Sequence, residues 1–128
     1  MAGSWLDRYF LKNSYDRRVE NTPIAVSEVT VTNSTSQEVL VTFSCEPYES
    51  RLNSKNEIDQ TFRCGQQQAR VRSGDETSIT FNRHRSTVYS VYFFNTDGTL
   101  EKEPCKRAIY NDFHSLLVRS KWDITPVF

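Results

Sequence analysis

Apolar and polar residues alternate along two neighbouring stretches within residues 24–45. Val29 and Val31 mark the apolar positions of the first stretch, and those of the second end at Cys45. A period of two is typical of a β-strand with one buried face. Because the polar residues 33–37 lie between the two stretches, the pattern predicts a β-hairpin.

The same alternation recurs through the rest of the chain. It predicts further strands at 58–64, 66–72, 79–81, 87–94 and 116–124, with a weaker one at 100–110. Both faces of 87–94 carry bulky apolar side chains, which indicates a central strand covered on both sides. The polar residues 46–57 predict an exposed loop. In the last strand, Trp122 occupies an apolar position, although a helical turn over 113–118 is an alternative there.

These elements amount to seven or eight strands, with turn residues every 8–12 positions along much of the chain. We therefore expect an all-β fold, a single antiparallel β-sandwich of the jelly-roll or immunoglobulin-like kind, over residues 24–128. A small closed β-barrel or a β-trefoil is the alternative architecture.

A short amphipathic helix is predicted at residues 4–12, with Trp5, Tyr9 and Phe10 on one face. A helix of two or three turns needs a surface to pack on. Residues 1–23 are therefore expected to form a helix and connector packed on or beside the sandwich. The same apolar face could instead bind a partner protein or lie in a membrane interface.

The length and charge of the chain restrict its class. Its 128 residues correspond to a single domain, and its 16 basic and 16 acidic residues balance, which disfavours nucleic acid as a partner. No apolar run approaches the roughly 20 residues of a transmembrane helix. The first ten residues lack the pattern of a secretory signal, so we expect a soluble cytoplasmic protein, with secretion as a processed mature form as the alternative.

Three cysteines and two histidines are the residues with the most distinctive chemistry. The cysteines are odd in number and far apart, and Cys45 and Cys64 share the phase of buried strand positions, so we expect free buried thiols and no disulfide framework. His84 and His114 have no partner at metal-ligand spacing. The sequence therefore predicts neither a metal nor another cofactor. Cys105 is the third cysteine and is likewise expected to be a free thiol.

No nucleophile elbow or phosphate-binding loop supports catalysis, so we expect a protein that is not an enzyme. Positive charge is concentrated at Arg70 and Arg72 and again in residues 82–86, and these could form a basic rim if the strand ends adjoin. A solvated turn and the charged face of an edge strand are the simpler interpretation. The predicted partner-binding residues are Trp5, Tyr9, Phe10, Arg83, His84 and Arg85.

The leading functional hypothesis is a binding module that holds a protein partner through an edge strand, a loop rim or the N-terminal helix. Self-association through an exposed edge strand would be a special case. A lectin-like or membrane-lipid-binding sandwich protein is the second hypothesis. A small enzyme that uses a Cys or His is the third.

Overall fold

The computed structural model describes residues 23–45, 47–52, 54–55, 58–62 and 64–128, and for 47–52 and 58–62 it describes the backbone alone. The predicted helix at 4–12 lies outside these residues. All regular structure in the described chain is β-strand, which confirms the all-β class. The strands are β1 (Ala25–Asn33), β2 (Val39–Ser44), β3 (Pro47–Leu52), β4 (Ile58–Phe62), β5 (Gln66–Val71), β6 (Glu76–Arg83), β7 (Val88–Phe93), β8 (Lys106–Ile109), β9 (Ser115–Ser120) and β10 (Asp123–Val127).

Eight of these strands form two four-stranded sheets. The first sheet has the order β10-β9-β1-β6, and the second has the order β5-β2-β7-β8. All pairings are antiparallel except that of β1 with β9. The hairpin β3-β4 forms a separate two-stranded sheet. Among the described residues, no helix is long and apolar enough to cross a membrane.

One hydrophobic core joins the two four-stranded sheets. Phe43 of β2 and Phe81 of β6 stack across it with ring centroids 4.1 Å apart, and Tyr110 contacts both rings edge-on. Phe113 extends this aromatic group by edge-on contacts with Tyr89 and Tyr110. Edge-on and offset-stacked rings gain quadrupole attraction beyond their burial, so these contacts help to hold the two sheets in a definite relation.

The predicted hairpin within residues 24–45 is wrong in its pairing, although both of its strands exist. β1 pairs with β6 and β9, whereas β2 pairs with β5 and β7, so the two strands belong to different sheets. Alternation shows which face of a strand is buried but does not identify its neighbour. Here both apolar faces contact the same core from opposite sides, and residues 34–38 cross between the sheets.

The crossing depends on Asn33, whose side chain is fully buried. Its Nδ2 donates to the carbonyl oxygens of Gln37 (2.8 Å) and Val71 (3.0 Å). Its Oδ1 accepts from the backbone N–H (3.0 Å) and the hydroxyl (2.7 Å) of Thr35. Its backbone carbonyl accepts from Gly74 in the turn between β5 and β6. One side chain therefore ties the end of β1 to the end of β5 in the other sheet.

The chain also departs from the predicted pattern at two other places. Residues 47–52, expected within an exposed loop, form β3 and pair with β4. The single strand expected at 116–124 is two strands, because the chain turns at 121–122. That turn resets the alternation and leaves Trp122 92% exposed, whereas Ile124 is buried. β7 is confirmed as a central strand with β2 and β8 on its two sides.

Asn33→Ala should lower the free energy of unfolding by about 3 kcal/mol, because it leaves buried hydrogen-bonding groups without partners. Asn33→Asp should also destabilise the fold, since it places a carboxylate oxygen against the carbonyl oxygens of Gln37 and Val71. Equilibrium urea unfolding measures both changes. Asn95→Ala, which removes an exposed hydrogen bond to Thr99, is the matched control and should change stability by less than about 0.5 kcal/mol.

A loss below about 1 kcal/mol in Asn33→Ala would show that the crossing does not depend on this side chain. An Asn33→Asp variant as stable as the wild type would show that the shape of the residue matters and its two donated hydrogen bonds do not.

Candidate functional site

The predicted basic rim is not assembled. Arg70 and Arg72 lie at the end of β5, near the start of β6, whereas Arg83 ends β6. The seven residue steps of β6 from Glu76 to Arg83 span about 23 Å at roughly 3.3 Å per step. Arg70 forms a salt bridge with Glu38. The basic residues therefore lie at opposite ends of the strand and cannot share one small ligand.

At the far end of β6, Arg83 is bound within the protein. Its guanidinium forms a salt bridge with Asp112 and lies over the ring of Tyr110, 5.5 Å from the ring centroid. Arg85 is exposed and His84 between them is buried. Of the three residues predicted in this turn, Arg85 thus offers its charge most directly to solvent. Trp5, Tyr9 and Phe10 lie outside the described residues.

His84 is held in a tight turn. Its backbone N–H donates to the Thr87 hydroxyl (2.7 Å), and that hydroxyl donates to the His84 carbonyl (3.1 Å). The ring Nδ1 lies 3.0 Å from the Asn82 carbonyl oxygen. Because a carbonyl oxygen only accepts hydrogen bonds, Nδ1 carries the proton and the lone pair of the neutral ring is on Nε2.

Cys45 and Cys64 form a disulfide, so the prediction of free thiols is wrong for these two residues. Cys45 follows β2 and Cys64 precedes β5 closely, and the pairing of Ser44 with Gln66 brings the two Cα atoms to 5.6 Å. The bond joins the two ends of the chain segment that contains the hairpin β3-β4. A separation of 19 residues along the sequence does not indicate that the two cysteines are in contact, because the contact depends on the pairing of β2 with β5.

The disulfide and His84 form a compact cluster of possible metal ligands. The sulfur atoms of Cys45 and Cys64 and a ring nitrogen of His84 all lie within 4.8 Å of one another. The Cys45 backbone N–H donates to the Cys64 sulfur (2.8 Å). A pocket of about 80 Å³ opens beside Cys64, lined also by Phe43, Ser44, Gly65, Gln66, Gln67, Phe81 and Asn82.

Cys105 is a free, partly buried thiol in a different environment. Burial raises its pKa, and the nearby carboxylate of Glu101, with Oε2 3.6 Å from the sulfur, raises it further. Glu101 also accepts a hydrogen bond from Lys121, which raises the pKa of that ammonium group. Since the thiolate is the reactive form, this arrangement makes Cys105 less reactive than an ordinary exposed cysteine.

Two exposed apolar residues lie next to the turn that holds His84. Ile24 is 55% exposed and Val26 is 70% exposed, although β1 is an inner strand of its sheet. The Ile24 N–H donates to the Arg83 carbonyl (2.8 Å), and Val26 pairs with Asn82. Exposed apolar and basic residues thus occur at the same end of β1 and β6. We call Ile24, Val26 and Arg85 the end patch.

Comparison with protein-family models, with curated proteins and with solved structures gave no match.

Reduction of the disulfide should lower the free energy of unfolding by about 3 kcal/mol, the chain-entropy value for a closed loop of roughly 20 residues. Urea unfolding with and without a phosphine reductant measures the difference. Cys45→Ala/Cys64→Ala should be equally destabilised and should no longer respond to the reductant. Cys105→Ser should respond as the wild type does, and a loss of response in that variant would contradict the assigned pairing.

Native alkylation without reductant should modify Cys105 alone, and more slowly than a free cysteine because its pKa is raised. Glu101→Gln removes the carboxylate that raises this pKa, so a larger fraction of the thiol is ionised at a given pH and alkylation should be faster. Mass spectrometry of samples taken at successive times measures the fraction of alkylated protein. Glu103→Gln, an exposed glutamate two residues along, is the control and should leave the rate unchanged.

Proposed function

We propose that this protein is a non-catalytic binding module that holds a protein partner through the end patch. The observation that carries the proposal is the exposure of Ile24 and Val26 beside an unburied arginine. Arg is enriched among binding hot spots, and the exposed apolar side chains add surface whose burial by a partner is favourable. A partner segment with apolar residues next to an acidic group would complement it.

The proposed scaffold is a β-sandwich of the immunoglobulin-like kind. Its support is the single core shared by two separate four-stranded sheets, each with two edge strands among the described residues. A closed barrel has no such edges. The edge strand β6 ends at the turn of residues 82–86, so an edge strand and a loop rim, two of the predicted binding features, meet at the end patch.

The disulfide supports an oxidising compartment as the place of action, in contrast to the cytoplasm expected from the sequence. A binding module in such a compartment gains stability from the closed loop, and the core supplies a fixed scaffold for its surface loops.

Ile24→Ser/Val26→Ser and, separately, Arg85→Glu should each weaken partner retention at least about tenfold while leaving the melting temperature nearly unchanged, since these residues are exposed. Ile109→Ser is the matched control, because Ile109 is also 70% exposed but lies on β8 of the other sheet. Affinity capture from native extract, quantified by mass spectrometry and competed with untagged protein, measures retention.

The proposal requires a protein that the wild type and Ile109→Ser retain equally and that the end-patch variants release. Identical capture by all variants would overturn it. Binding only to glycans on an array or to lipid vesicles in flotation would overturn it in favour of a lectin-like or lipid-binding protein.

A further inference from the structure

We propose that, when the disulfide is reduced, Cys45, Cys64 and His84 bind one Zn²⁺ ion. The disulfide and the metal site would then be two alternative states of the same three residues. Metal binding by these residues is a different property from partner binding and does not depend on the end patch.

The distances fit a tetrahedral ion. With Zn–S bonds of about 2.3 Å and a Zn–N bond of about 2.0 Å, neighbouring ligand atoms are roughly 3.5–3.8 Å apart. The two sulfurs and one ring nitrogen of His84 already lie within 4.8 Å of one another. When the S–S bond opens, the sulfurs separate to a non-bonded distance, which is the direction that tetrahedral coordination requires. The three ligands therefore need small adjustments of side chains that flank β2, β5 and β6.

The imidazole already has a hydrogen bond of the kind found in metal sites. Its Nδ1 lies 3.0 Å from the Asn82 carbonyl oxygen, which holds the ring in place beside the two sulfurs. Metal-bound histidines generally donate their second ring N–H to a carbonyl or carboxylate, which fixes the tautomer and the ring orientation. The Thr87 hydroxyl holds the backbone of His84 through contacts that do not involve the disulfide. The histidine should thus keep its place in the reduced protein.

One hydrogen-bond donor is already in place at the sulfurs. The Cys45 backbone N–H donates to the Cys64 sulfur (2.8 Å) and would also donate to a metal-bound thiolate there. The pocket of about 80 Å³ beside Cys64 provides access and room for a water molecule as the fourth ligand. Two thiolates and one imidazole select Zn²⁺ over Mg²⁺ or Ca²⁺, which prefer oxygen ligands.

The disulfide is first reduced and the ion then binds. A dithiol reductant supplies two electrons and two protons, its own sulfurs become a disulfide, and Cys45 and Cys64 become thiols. Zn²⁺ then replaces the two thiol protons, which pass to solvent. The hydrophobic core that joins the two sheets does not depend on the disulfide for its apolar contacts, so the reduced chain can remain folded and bind the ion.

The test is a titration of the full chain with Co²⁺, a spectroscopic substitute for Zn²⁺, followed by competition with Zn²⁺. The reduced protein should bind one ion per chain and show the thiolate-to-cobalt charge-transfer band and the visible bands of tetrahedral Co²⁺. The oxidised protein should show neither. Zn²⁺ should raise the melting temperature of the reduced protein, because it binds the folded state.

Cys45→Ser, Cys64→Ser and His84→Gln should each weaken Zn²⁺ binding at least about tenfold. Cys105→Ser and His114→Gln are the matched controls and should bind as the wild type does. Near-ultraviolet circular dichroism of reduced His84→Gln shows whether that variant is folded. An absence of tetrahedral Co²⁺ bands in the reduced wild type, unchanged affinity in His84→Gln, or metal binding without a rise in melting temperature would each overturn the proposal.

Discussion

The connection between the two sheets depends on a buried amide that hydrogen-bonds backbone groups of the connecting segment and of the second sheet. Asn33 ends β1, yet its Nδ2 donates to the carbonyl of Val71 at the end of β5. A buried polar group without partners is costly, so the amide fixes where residues 34–38 can pass. With that connection fixed, β1 and β2 lie in different sheets, and Val29 of β1 shares one core with Phe43 of β2 and Phe81 of β6.

The two ends of the molecule are stabilised by different means. Near Asn33, hydrogen bonds from one side chain hold the crossing and the turn between β5 and β6. At the other end of β6, the disulfide joins the two ends of the segment that contains β3 and β4. There Arg83 also forms a salt bridge with Asp112 and lies over the ring of Tyr110. The proposed functions lie at this second end, where covalent closure, a buried histidine and exposed apolar surface occur together.

Much of the fold could be predicted from alternation, because the phase of apolar residues shows which face of a strand is buried. It correctly identified the buried faces at Val29, Val41 and Phe81 and the central position of β7. It could not show that β1 and β2 separate, since that depends on polar contacts of Asn33 with residues far along the chain. Likewise, the contact of Cys45 with Cys64 and His84 follows from strand pairing, which residue spacing does not encode.

Asn33, Ser34 and Thr35 also match the acceptor pattern for N-linked glycosylation. A glycan is attached through Nδ2, the atom that donates to Gln37 and Val71 in the fully buried side chain. The folded protein has no room there for a sugar. In a eukaryotic secretory compartment, where a disulfide could form, glycosylation and folding would therefore compete for the same nitrogen atom. A chain that received the sugar first could not complete the passage between its sheets.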